Sequence, residues 1–153
     1  MQVSDILRVK GGTLFTVSPE QLLAEAVATM SDRDIGSLVV MDHGDIAGML
    51  TFREVIQAIV ANRGMIGMTR VGAVMDRQPL TCSPETEIDE VRRMMLGRHA
   101  RYMPVLSQRM LMGVISFYDV AKAVVDSQDF ENRMLKAYIR DWPVDEARDE
   151  KTS

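Results

Sequence analysis

The sequence predicts an α+β fold made of two tandem βαββα repeats followed by a C-terminal helix. Three observations carry that expectation. The chain superposes on itself in one register, each copy has a Ser-Pro-Glu segment before a run of helical periodicity, and each copy then shows two apolar runs split by a turn. Placing Thr16-Val17-Ser18-Pro19-Glu20 over Thr81-Cys82-Ser83-Pro84-Glu85 also pairs Glu25 with Glu90, Met30 with Met95, Arg33 with Arg98 and Val40 with Val105. The same register continues through Gly48 and Gly113, Phe52 and Phe117, Val55 and Val120, and Ala58 and Ala123 without a gap. Fixed-period self-similarity of this length is the mark of a duplicated structural unit.

Each copy opens on a short extended piece, Leu14 to Val17 or Leu80 to Cys82, leading into Ser-Pro-Glu. Ser18 and Ser83 are expected to be helix N-caps, with proline in the first turn. Apolar residues then recur at spacings of three and four, namely Leu22, Leu23, Ala26, Val27 and Met30, and Ile88, Val91, Met94 and Met95. The strand pairs follow. Ser37 to Met41 and Ile46 to Leu50 flank Asp42-His43-Gly44-Asp45; Met103 to Leu106 and Leu111 to Ile115 flank Ser107-Gln108-Arg109. A closing helix starts at Thr51 or Ser116, and a short amphipathic helix precedes each copy, Val3 to Arg8 and Val71 to Met75. Met30, Met95, Phe52 and Phe117 are expected in the core, and Cys82 on an inner strand.

The expected organisation is repeat 1 over 3–62, a linker over 63–70, repeat 2 over 71–127, a C-terminal helix over 128–143 and a charged tail over 144–153. A repeat of roughly 60 residues buries too little surface to be stable alone, so the two are expected to share a core.

Composition narrows the function. Hydrophobic residues make up 46% and charged residues 26%, the balance of a globular protein. A net charge of -4 argues against general nucleic-acid binding. Arg92, Arg93, Arg98, His99 and Arg101 form a local basic cluster suited to a phosphate rather than a duplex. No run approaches the ~20 apolar residues of a membrane span, and the N-terminus lacks the apolar core of a signal peptide; a cytoplasmic location is expected. One cysteine and two histidines, without a CxxC, argue against a disulfide or a structural zinc site. No nucleophile triad, P-loop or Rossmann fingerprint is present, so no enzymatic activity is expected.

The Ser-Pro-Glu starts, the Tyr102-Met103-Pro104-Val105 strand and the segment Gly113 to Asp119 (GVISFYD) resemble a CBS-domain pair, the cystathionine β-synthase type module. The last segment is similar to that family's G-h-h-[ST]-x-x-D signature, h being apolar, and Gly48 to Glu54 (GMLTFRE) is its counterpart in the first copy. The resemblance covers about residues 3 to 126. As a whole the chain resembles small stand-alone bacterial CBS-pair proteins with one extra C-terminal helix.

The resemblance implies two repeats about a pseudo-twofold axis with two clefts between them. An adenosine compound such as AMP, ADP, ATP or NAD would occupy one or both. Ser116 and Asp119 would face Thr13 and the Gly36-Ser37 stretch; Thr51 and Glu54 would face Leu80 and the Arg101-Tyr102 stretch. It further implies a non-catalytic regulatory module, a homodimer assembled through helical faces, and a protein target still to be identified. An S-adenosylmethionine sensor, or a scaffold whose clefts have decayed, are the alternatives.

The residue chemistry is compatible with the resemblance. Ser116 and Asp119 lie three apart at a helix start, so both reach the same side of its N-terminus. A carboxylate there can accept two hydrogen bonds from a ribose diol, and the helix end favours a phosphate. The same spacing also reads as a capping box, for Ser116-x-x-Asp119 and Thr51-x-x-Glu54 alike. Gly113 and the apolar strand favour ligand binding at Asp119. Glu54 departs from the family's aspartate, so the first-copy cleft is expected to bind weakly, bind another ligand or stay empty. Arg101 aligns with Gly36 and reads equally as a phosphate ligand or a solvated arginine. Tyr102 reads as a wall of the base pocket or as a plain strand residue.

Overall fold

The computed structural model describes residues 1–11 and 13–141. Trp142, Pro143 and the expected charged tail lie outside the described residues. The elements run α1 (Val3–Lys10), β1 (Thr16–Val17), α2 (Leu23–Arg33), β2 (Ser37–Asp42), β3 (Asp45–Thr51), α3 (Phe52–Ala61), α4 (Val71–Val74), α5 (Ile88–Arg98), β4 (Tyr102–Ser107), β5 (Met110–Ser116) and α6 (Phe117–Asp141). The helix expected to close repeat 2 and the one expected after Ser127 are therefore one continuous helix. Two compact units are distinguished, Met1–Val120 and the remainder from Ala121.

Within the first unit the duplication extends to backbone detail. β2 and β3 pair antiparallel, as do β4 and β5, and a bulge interrupts each ladder at Val40/Met41 and at Val105/Leu106. Each hairpin turns on two residues of positive φ: His43 and Gly44, and Gln108 and Arg109. That is the turn geometry whose twist matches a two-stranded ribbon. α2 and α5 both end on a left-handed residue, Asp34 and His99. The leading strand differs between copies. β1 forms two parallel pairs with β2, whereas only Cys82 of the Leu80 to Cys82 piece bridges to Val105.

Ser18 and Ser83 are not helix caps. α2 starts at Leu23 and α5 at Ile88, five residues later, with Leu22 and Glu87 at the N-cap positions. Ser-Pro-Glu forms a turn instead, in which the Ser18 N–H donates to Gln21 Oε1 and the Ser83 N–H to Thr86 Oγ1. The reason is tertiary: the carbonyls of this turn receive another helix. The Val3 and Ser4 N–H groups at the start of α1 donate to Thr86 and Pro84 (3.0 and 2.8 Å). The Val71 and Gly72 N–H groups of α4 donate to Gln21 and Pro19 (2.9 and 2.8 Å). Helix N-termini carry unpaired N–H groups that need such acceptors. The leading helices are thus crossed, α1 docking on repeat 2 and α4 on repeat 1.

The core follows the crossing. Val71 and Met75 pack with Val17, Leu23, Ala26, Met30, Leu38, Val40, Leu50, Val55 and Ala58 of repeat 1. In repeat 2, Ile88, Val91, Met95, Met103, Val105, Ile115 and Val120 are buried, as are Val3 and Ile6 of α1. Met30 and Met95 are core residues as expected, but Phe52 and Phe117 are 52% and 37% exposed. Both stand at the first position of a helix just beyond its cap, which turns the ring away from the core side.

Two glycines permit the close approach of crossed segments. A methyl on Gly48 would collide with the Asp76 carbonyl and stand 3.1 Å from Met75 Sδ; one on Gly113 would stand 2.7 Å from Leu7 Cδ2. At Gly48 the obstacle is backbone, because Met49 and Asp76 exchange N–H···O bonds of 3.0 and 2.9 Å. Gly48→Ala is expected to destabilise the fold by about 1–3 kcal/mol. Gly67→Ala, where nothing lies within 4 Å, should shift the urea midpoint far less.

Candidate functional site

The two capping boxes lie at pseudo-equivalent places, the junctions β3–α3 and β5–α6. At the first, the Thr51 N–H and hydroxyl both bond Glu54 Oε1 (2.8 and 2.7 Å), while the Arg53 N–H donates to Thr51 Oγ1 (3.2 Å). Glu54 is 8% exposed, the one buried charged residue among those described. Its Oε2 has no protein partner among the described residues. At the second, the Ser116 N–H donates to Asp119 Oδ2 (2.8 Å) and the Asp119 N–H to Ser116 Oγ (3.1 Å). Capping therefore holds at both places, and it also fixes each carboxylate at the N-terminus of its helix.

The surroundings differ. Against Thr51 and Glu54 lies a cavity of about 360 Å³ whose walls include Leu80, Arg98, Arg101 and Tyr102 of repeat 2, with Asp76 and Pro79. It thus collects Thr51, Glu54, Leu80, Arg101 and Tyr102, the five residues expected to share the first-copy cleft. Phe52, Arg53, Ile56 and Gln57 of α3 complete its near wall. Three guanidinium groups stand against two carboxylates in this lining. Those of Arg53 and Arg98 are tethered to the His99 and Gln78 carbonyls (2.6 and 3.5 Å). Arg101 makes no ion pair among the described residues. Arg53 and Asp76, which line the cavity with them, carried no motif signal; only their flanking Thr51, Glu54 and Leu80 did.

The Asp119 carboxylate is instead ion-paired. Lys10 Nζ donates to Asp119 Oδ2 (2.7 Å) and to the Val114 carbonyl (2.9 Å). Of the residues expected beside it, Thr13 is exposed in the α1–β1 connection. Ser37 is the ladder partner of Thr51. Gly36 lies against Tyr102, where a methyl would run into the tyrosine hydroxyl and stand 3.0 Å from the Phe52 ring. Gly36 and Ser37 are thus neighbours of first-cleft residues. Lys10 falls in no motif and has no counterpart at the 65-residue offset that aligns the strands.

The charges differ accordingly. Burial raises the Asp119 pKa, but the Lys10 hydrogen bond and charge and the bonds from Ser116 outweigh it, leaving the carboxyl below its ordinary value. Burial alone pushes the Cys82 thiol up to about 12.

A model of the CBS domain matches residues 3–61 and again 71–126, so the chain belongs to the CBS-domain family. Among curated relatives, the mitochondrial CBS domain-containing protein CBSX3 of Arabidopsis thaliana is 29% identical over 147 residues, covering 90% of this chain and 71% of its own length. Among solved structures, the CBS-domain containing protein ATU1752 from Agrobacterium tumefaciens is 32% identical with a TM-score of 0.76, over 80% of this chain and 98% of its own. CBSX2 in complex with AMP shares the fold at 20% identity and a TM-score of 0.68, over 83% of this chain and 98% of its own. No helix among the described residues is long and apolar enough to cross a membrane.

Two outcomes are expected. A carboxyl held below its unfolded value adds stability above about pH 3.9 and loses it as pH falls through the folded value. Lys10→Met should therefore lower the urea midpoint at pH 7 and flatten its fall as pH drops below about 4. Native protein should alkylate at Cys82 with iodoacetamide at pH 8 at least on the order of a hundredfold more slowly than urea-unfolded protein, because thiolate is the reacting form. Equal rates would place the thiol in water.

Proposed function

We propose that this chain is a regulatory, non-catalytic module that binds a phosphorylated adenosine compound in the cavity between its repeats. AMP, ADP, ATP and NAD fit that description. The observation that supports it best is the joining of Glu54, Arg101 and Tyr102, from opposite repeats, around one cavity of about 360 Å³. Ligand pockets fall in the range of roughly 300–1,000 Å³. Glu54 Oε2 would accept from a ribose hydroxyl, a charge-assisted bond stronger than a neutral one. Arg101, with Arg53 and Arg98 behind it, would meet phosphate. Tyr102 and Phe52 supply flat apolar surface for the base. The fold accommodates such a ligand in CBSX2, whose structure is a complex with AMP. An excess of guanidinium groups disfavours the cationic sulfonium of S-adenosylmethionine.

Because Thr51 and Glu54 come from repeat 1 and the other wall from repeat 2, a ligand there would bias the arrangement of the repeats. It can do so only through unequal affinity for the two arrangements. The output is an assembly change or a contact with a protein target. For assembly, α3 offers an apolar face in Phe52, Ile56, Ile59 and Val60, all 41–74% exposed, and a homodimer through it is the simplest arrangement.

Thermal melting of ligand-stripped protein tests the binding. At ~100 times its dissociation constant a ligand adds about 2.7 kcal/mol, a shift of several degrees. Arg101→Ala should weaken AMP or ATP roughly tenfold, as loss of a charged hydrogen bond does, while leaving adenosine unchanged. Glu54→Ala lowers the unliganded Tm by removing a cap, so the ligand-induced shift is the quantity to compare, and it should shrink for adenosine and nucleotides alike. No shift with any of the four compounds would leave a ligand-free scaffold as the better reading.

A further inference from the structure

The two junctions carry the same capping box, but a cavity lies against the first and a lysine ammonium against the carboxylate of the second. The difference lies in the crossed helices. Val3 and Val71 make equivalent bonds to the Ser-Pro-Glu turns. Leu7 abuts Gly113 as Met75 abuts Gly48. Continuing that correspondence, Lys10 is the counterpart of Gln78. α4 ends at Val74, and the chain then leaves the helix, with Asp76 bridging Met49 and its side chain accepting from the Gln78 N–H (3.0 Å). That segment, through Pro79 and Leu80, forms one wall of the open cavity. α1 instead stays helical to Lys10. The extra turn carries a primary amine onto the second junction.

Lys10 does not reach Asp119 as a loose chain end. Its helix is fixed by two backbone bonds to repeat 2, by the burial of Val3 and Ile6, and by Leu7 against Gly113. The ammonium donates to the carboxylate and to a β5 carbonyl at once, at 2.7 and 2.9 Å. The first of these bonds pairs the carboxylate through Oδ2, the oxygen that also accepts from the Ser116 N–H, so a ribose diol at Asp119 would meet a carboxylate already matched to a cation.

We infer that Lys10 is an internal occupant of the second site, and that it limits the chain to one adenosine ligand where the duplication provides two carboxylates. Entry at Asp119 then requires Lys10 to leave, so any compound that binds there does so at the expense of this ion pair. The inference goes beyond the proposed first-cleft function and rests on it only for the choice of ligand.

Isothermal titration of ligand-stripped protein with AMP and with ATP provides the test, using wild type, Lys10→Met and the double variant Lys10→Met/Asp119→Ala. The expected stoichiometries are one, two and one per chain. Two sites in wild type, or one in Lys10→Met beside one in wild type, would overturn the inference. No binding to wild type but one site in Lys10→Met, lost in the double variant, would uphold it and sink the first-cleft reading instead. If none of the three proteins binds, amine acetylation read by mass spectrometry decides, with Lys122 and Lys136 as internal references. Lys10 should then label several-fold faster in Asp119→Asn than in wild type; equal rates would overturn the inference.

Discussion

The fold depends on the exchange of leading helices between the two repeats. α1 and α4 each present unpaired N–H groups at an N-terminus, and each finds its acceptors in the Ser-Pro-Glu turn of the other repeat. An unpaired buried N–H is expensive, so these bonds fix position more than they add net stability. Around them the apolar residues of each borrowed helix complete a core that its host lacks. Val71 and Met75 fill repeat 1 while Val3 and Ile6 are buried at repeat 2. Gly48 and Gly113 are small because a borrowed segment passes over them.

The same exchange makes the two junctions unequal. A duplicated chain would be expected to carry two equivalent clefts, and the hairpin strands, their bulges and the capping boxes obey that symmetry. The borrowed helices do not. One stops after four residues and leaves a cavity; the other runs for eight and delivers an ammonium group. A difference in helix length thus leaves a cavity against one carboxylate and sets a cation against the other.

Much of this was legible in the residues. The turns at Asp42-His43-Gly44-Asp45 and Ser107-Gln108-Arg109 were legible locally, as were the Thr51 and Ser116 caps, because each rests on neighbours within three positions. The cleft partners Glu54, Leu80, Arg101 and Tyr102 came with the resemblance, since doubled motifs report crossed geometry. Where tertiary contact overrides local preference, reading the chain fails. Ser18 and Ser83 look like caps but yield to a turn, because its carbonyls are recruited by another helix. Phe52 and Phe117 look like core yet point outward, because helical phase at a first position is not set by hydrophobicity. Lys10 carried no signal at all, being joined to Asp119 across 109 residues.

The exchange also has a consequence for a chain emerging from a ribosome. Repeat 1 lacks part of its interior until Val71 and Met75 have been made, so its own strands and helices appear before they can settle. α1 waits longer still, because its acceptors Pro84 and Thr86 lie some eighty positions downstream. At roughly 5–20 residues per second that is a delay of several seconds. During it the apolar side of α1 is without its host, an interval in which a nascent-chain chaperone or another emerging copy would find it accessible.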